Sequence, residues 1–370
     1  MLTRCLALSV LSAALLSAGS LAHAQPSEAV SLPLTPELAQ KTSITAEGAL
    51  RKDLAYGIYQ AVYSPFDNSL YVASAERAPS VRGGVIYKLD PITLDVKGTM
   101  YTDQSNFGLA RNASGDTLYV TNSLAAAVSK VGLKEDGNIE RVHFNNKSFD
   151  DTKMGPRTIR HDPQQGRIYV GAVGAPAVIW VLDDRTLELI DTIENAGKWV
   201  TGLLVDSASH RLYAANGDGE VMVVNTQTKQ IEQRWKPAGV KPALLLNFAL
   251  DSSRNRLYVT ETKDQKTVYV LDARDGKLLQ TLPVGDAMDI LYNADRDELY
   301  LTHREQGKVS VLDGASYAVK AQYNLPDNPN SLELGPDSQL YVTVKAPATP
   351  QYKASKRESV VRIDLKNIKG

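Results

Sequence analysis

The sequence predicts an all-β fold, a seven-bladed β-propeller of four-stranded antiparallel blades whose last blade is closed by an N-terminal strand. Three observations lead there. A Leu-Tyr-Val phrase recurs seven times, each copy is followed by a second strand-like phrase, and no long amphipathic helix interrupts them. Repeats with a period of four strands are the mark of propeller blades.

The first phrase centres on Tyr71, Tyr119, Tyr169, Tyr213, Tyr258, Tyr300 and Tyr341, which lie 41 to 50 residues apart. The second ends most often in Asp or Asn, as in Val181-Leu182-Asp183 and Val270-Leu271-Asp272. β-Branched and aromatic residues suit strands, and the terminal Asp or Asn starts a turn through its side chain. A polar turn precedes each first phrase, and a short apolar strand precedes each turn. One blade therefore reads as strand A, turn, strand B with Leu-Tyr-Val, loop, strand C with Val-x-Val-Leu-Asp, turn, and strand D. Arranged radially, each sheet covers its neighbour and only short edges remain. A linear stack would need polar capping repeats, and none is visible.

The seventh unit stops at strand C, near Val360 to Leu365, and lacks strand D. An additional strand-like segment, Ser43 to Leu50, precedes the first unit. It is expected to supply the missing strand and hide the edge.

The N-terminus reads as an export signal over residues 1–24. Arg4 gives the charged start, Leu6 to Leu16 the apolar stretch, and Ala22-His23-Ala24 a small-x-small cleavage site. Residues 25–42 are expected to be a flexible leader, and 43–370 a single propeller domain. The apolar stretch is too short for a convincing membrane span, so the expected location is the periplasm. The one cysteine, Cys5, falls within the signal. The mature chain then has no disulfide, thiolate metal site or cysteine nucleophile. Basic and acidic residues balance at 41 and 42, which argues against a broadly basic nucleic-acid surface. An anionic partner would need a local patch.

Antiparallel order puts the starts of strands A and the ends of strands B at one mouth of the central channel. The candidate ligand-binding residues there are Tyr56, Phe107, Arg157, Trp199, Asn247, Asn330, His303, Arg304 and Lys345, with Asn122, Asn216, Glu261 and Asp289 beside them. Rings, amides and cations together could stack bases and hold phosphates, as single-strand binders do. Two longer B–C loops, 73–84 and 343–359, carry Arg77, Arg82, Lys353, Lys356 and Arg357. Catalytic signals are weak. There is no His-x-x-x-His pair and no Gly-x-Ser-x-Gly elbow, and Asn216-Gly217-Asp218-Gly219 reads as a tight hairpin. No catalytic residue, metal or cofactor is expected, and the mature chain is expected to be a monomer.

Tyr119-Val120-Thr121-Asn122 spells the motif of the YVTN-repeat propellers, and Tyr258-Val259-Thr260-Glu261 and Tyr341-Val342-Thr343-Val344 are close copies. Longer stretches are similar to the YncE-like periplasmic group within that family. They include Gly84 to Leu94, Val178 to Val181, Tyr300 to Val311 and Pro329 to Leu332. The likeness runs from about Leu50 to Leu365. It implies a periplasmic seven-bladed propeller with no established enzyme activity, and single-stranded DNA as a partner at one face. Two alternatives stay open. One is a lactonase-like or other small-molecule hydrolase using Glu261, Asp289 and His303. The other is a scaffold for envelope proteins, contacted through the basic loop near Lys353 to Arg357.

Overall fold

The structure is a computed structural model that describes residues 42–46, 48–75, 83–134, 138–325, 327–347, 349 and 355–368. Residues 1–24, read as the signal, and the leader up to residue 41 lie outside the described residues.

Seven antiparallel sheets form, six of them from four consecutive strands and the seventh from strands at the two ends of the described chain. Blade 1 is Ile58–Ser64, Ser69–Ser74, Gly84–Leu89 and Val96–Thr102. Blade 2 is Leu109–Arg111, Thr117–Asn122, Ala127–Gly132 and Ile139–His143. Blades 3 to 6 begin with Gly155–Asp162, Val200–Asp206, Leu245–Asp251 and Ala287–Asn293 as their strands A. Blade 7 has Asn328–Leu334, Gln339–Lys345 and Glu358–Asp364.

The ring closes through the N-terminus, but six residues later than expected. Ala49–Ala55, not Ser43 to Leu50, pairs with Glu358–Asp364 as the fourth strand of blade 7. Thr42–Ala46 folds back on it as a fifth, outermost strand. The cause is the reversal at Gly48, which has φ +78° and no room for a side chain, since a Cβ would sit 2.4 Å from Asn367 Nδ2. That single glycine divides the segment into two strands. Tyr56 consequently lies in the link between the closing strand and blade 1, before the reversal at Gly57.

The core lies between blades. Successive side chains on a strand face opposite ways. Leu118 and Val120 accordingly pack with blade 1 residues Val62, Tyr71 and Ile86. Tyr119 between them packs with Ile159, Ile168 and Val170 of blade 3. The repeated tyrosine also ends in a polar link. The hydroxyls of Tyr119, Tyr213 and Tyr341 donate to the carbonyls of Asp184, Ala273 and Pro91 at 2.7, 2.8 and 2.9 Å, each in the C–D turn of the next blade. Burial pushes all three hydroxyl pKa values up, so they remain donors. Each such bond contributes about 1 kcal/mol.

Candidate functional site at the channel mouth

The threonine of the Tyr-Val-Thr phrase builds the mouth. Strand A carries an irregularity opposite it, or opposite Ala73 in blade 1: Tyr59-Gln60, Leu246-Asn247, Met288-Asp289 and Asn330-Ser331 are pairs set against single residues of strand B. Arg157 and Thr201 are the additional residues in blades 3 and 4. Such bulges redirect side chains. The hydroxyls of Thr121, Thr302 and Thr343 accept the bulge N–H of Gly108, Asp289 and Ser331 at 2.7, 2.9 and 3.1 Å. The same hydroxyls donate across to the bulge carbonyls of Arg157, Asn330 and Tyr59 in the next blade, at 3.1, 3.2 and 2.9 Å. One side chain fixes two blades.

Three cations from separate blades converge on Tyr59. The Arg157 guanidinium lies 4.7 Å from the Tyr59 ring centre, and the Lys345 ammonium 4.0 Å. Phe107 meets the Tyr59 ring edge-on, with centroids 4.6 Å apart. Arg304 donates to Asn330 Oδ1, and Asn330 Nδ2 donates to the Tyr59 carbonyl at 2.8 Å. Lys345 also donates to the Ile58 carbonyl at 2.7 Å and pairs with buried Glu358 at 3.2 Å. Burial, then the charge of Arg157, pulls the Arg304 pKa down to about 10. It is still cationic at neutral pH. The arrangement is a cation–aromatic cluster held by blades 1, 2, 3, 6 and 7.

The expected residues divide accordingly. Phe107, Arg157, Asn330, Arg304 and Lys345 are brought together, though Phe107 is fully buried and supports the ring of Tyr59 instead of offering a face of its own. Trp199 stands apart in blade 4, its backbone N–H bonded to the Gly174 carbonyl at 2.9 Å and its ring 4.3 Å from Lys198 Nζ. Asn247 is a brace, donating to the Met288 carbonyl of the next blade at 2.8 Å. Tyr56 gives its carbonyl to Ser74 Oγ at 2.9 Å. His303 is fully buried, with no hydrogen-bond partner for either ring nitrogen. Burial draws its pKa down to about 4, against the opposing charge of Asp286.

Asn122 and Asn216 are enclosed. Asn216 Oδ1 accepts the N–H groups of Asp218 and Glu220, each at 3.0 Å, which makes the Asn216 to Gly219 segment a hairpin turn. Glu261 is also fully buried. Its two oxygens accept the backbone N–H groups of Leu244, Lys263, Asp264, Gln265 and Lys266. The carboxylate organises its loop. Among the described residues no three His, Asp or Glu side chains converge as metal ligands. Of the two long loops, 76–82, 348 and 350–354, with Arg77, Arg82 and Lys353, lie outside the described residues. Lys356 pairs with Asp327 at 2.8 Å.

The residue that sequence reasoning missed is Tyr59, at the centre of the cluster. It stands twelve positions before Tyr71, as Phe107 and Arg157 stand before Tyr119 and Tyr169. That spacing was the available signal. A charged layer lies further along the strands. Asp289 accepts the Leu332 N–H at 2.8 Å, and Glu333 accepts the Tyr63 N–H at 2.9 Å. Burial pushes the pKa of Asp289 up to about 6 and of Glu333 up to about 7, while Arg160 opposes both. A separate groove of about 640 Å³ runs along the outer rim between residues 191–195 of blade 3 and 229–234 of blade 4, with its charges partly spent in pairs such as Arg234–Glu220 at 2.9 Å.

Comparison with known proteins agrees with the architecture. No family model matches the chain. The chain is 35% identical over 328 residues to YncE of Salmonella typhi, covering 88% of this chain and 93% of that protein. It is 35% identical over 324 residues to YncE of Escherichia coli strain K12, covering 86% and 92%. Antigen Lp49 of Leptospira interrogans is 27% identical over 199 residues, covering 51% of this chain and 42% of that protein. A chain of Kuenenia stuttgartiensis hydrazine synthase superposes with a TM-score of 0.65 at 16% identity, covering 78% of this chain and 92% of that one. At that identity the likeness speaks to the fold alone. With a seven-bladed ring and 35% identity along most of both chains, the protein belongs to the YncE family of β-propellers.

Proposed function

We propose that the mature protein is a non-catalytic binding propeller of the periplasm, and that single-stranded DNA binds at the mouth around Tyr59. The observation that carries this reading is the convergence of three cations on one residue, Arg157 and Lys345 over the Tyr59 ring and Arg304 linked through Asn330 to the Tyr59 carbonyl. Cations hold phosphates, and partly exposed rings such as Tyr59 and Trp199 offer stacking surfaces. The charge balance of 41 to 42 keeps the attraction local. The residues a hydrolase would draw on give less support. Glu261 has its acceptor sites filled by backbone, and His303 is enclosed.

The test is oligothymidine binding to the mature protein across a salt series. Two or three phosphate contacts give a slope of about −1.4 to −2.1 in log affinity against log salt for a single strand. Absence of binding at low salt, or a flat salt series, would remove the reading. A scaffold for envelope proteins is a second reading, supported by Phe149, which is 86% exposed although its backbone N–H is bonded to Ala175 at 2.8 Å. Capture of envelope proteins by the native protein but not by Phe149→Ser would favour it.

A further inference from the structure

We infer that Arg157 and Arg304 form a discrete site for one oxyanionic group with the size and charge of a phosphate, free or carried on a larger molecule. The two guanidiniums come from blades 3 and 6, well apart on the ring, and meet at one residue. Arg157 lies over the Tyr59 ring at 4.7 Å, and Arg304 reaches the Tyr59 carbonyl through Asn330, whose Nδ2 is 2.8 Å from it. Among the described residues, no carboxylate forms an ion pair with either one.

The contrast with the neighbouring cations is informative. Lys345 is matched by Glu358 at 3.2 Å, and Arg51 by Asp327 at 2.9 Å. The acids nearest the cluster are already engaged. Glu358 accepts from Lys345 and from the Ala346 N–H at 3.2 Å, and Asp286 accepts from Gln306 Nε2 at 2.9 Å. Arg304 Nε is buried with no hydrogen-bond partner. An enclosed donor without a partner is costly, and so are two like charges held close together. An oxyanion between the guanidiniums answers both, since their planar forks match phosphate and carboxylate oxygens. Nothing in this site requires the anion to belong to a nucleic acid.

The experiment is titration of the mature, isotopically labelled protein with inorganic phosphate, read on the arginine Nε–H resonances, with sodium chloride at matched ionic strength as the reference. The expected result is a saturable shift of the Arg304 and Arg157 signals with phosphate only. Arg304→Gln and Arg157→Gln should each weaken phosphate binding about tenfold, and Lys263→Gln, on the exposed blade 5 loop, should leave it unchanged. Identical drift with phosphate and chloride would overturn the inference, as would native affinity in a folded Arg304→Gln variant. If that variant does not fold, the native Nε–H titration decides alone. Competition separates the two proposals. Saturable phosphate binding that oligothymidine fails to displace supports the anion site and removes the DNA reading. Oligothymidine binding with no phosphate response does the reverse.

Discussion

Blades 5 and 7 both end strand B at the same mouth, Glu261 three residues and Lys345 four residues after the blade's tyrosine, and the two meet different fates. Glu261 turns into its own loop and accepts five backbone N–H groups. Lys345 reaches across to blade 1, where it meets the Ile58 carbonyl and the Tyr59 ring. Register thus decides which residues arrive at the mouth. The local supply of unpaired backbone groups decides which of them stay available to a ligand. A carboxylate beside a loop of free N–H groups is consumed by them, whereas an ammonium, a donor only, reaches for acceptors elsewhere, here the Ile58 carbonyl and Glu358.

The largest effect should come from breaking the blade 5 side. Glu261→Ala removes the acceptor of five backbone N–H groups at once, and a loss of about 3 kcal/mol is expected in chemical denaturation. Lys345→Met should cost less, about 1–2 kcal/mol, because the Glu358 it leaves behind, whose pKa burial already raises, can take up a proton. A smaller cost for Glu261→Ala than for Lys345→Met would reverse the comparison. Thr302→Val, which removes one blade-to-blade staple, should cost about 1 kcal/mol and leave the fold intact by circular dichroism.

The smallest effect concerns pH. Glu333 and Asp289 have folded pKa values raised to about 7 and about 6, above their unfolded values. Their contribution to stability is full below about pH 4 and is lost as pH rises through 6 to 7. Asp90 and Asp272 act oppositely. Hydrogen bonds from Lys97 and Arg274 lower both to about 2, so their contribution is present above about pH 4 and lost as pH falls toward 2. Glu333→Gln should therefore flatten the decline in stability between about pH 4 and pH 7 while leaving the limb below about pH 4 unchanged. An unaltered slope in that window would show that the Glu333 shift does not govern it.

Much of this was legible in the sequence. The Leu-Tyr-Val period gives the blade count, because the alternation that buries Leu118 and Val120 against one neighbour and Tyr119 against the other is written in three adjacent letters. The mouth was legible for the same reason. The closing strand was misplaced because Gly48 splits an otherwise uniform β-like segment into a hairpin. Tyr59 was missed, and Tyr56 put in its place, because a bulge adds residues that strand periodicity does not count. The enclosure of His303 and Glu261 depends on loop backbone folding over them, which no local pattern of side chains announces.

The central claim is that one side of the mouth, the cluster around Tyr59, carries the ligand-binding surface, and that the blade 5 side does not. It is tested most directly by comparing oligothymidine affinity at low salt in two charge-matched variants, Arg157→Gln and Lys263→Gln. The account predicts about a tenfold loss for Arg157→Gln and less than about a twofold change for Lys263→Gln. Equal losses in the two variants would mean that binding follows overall charge, and would contradict it.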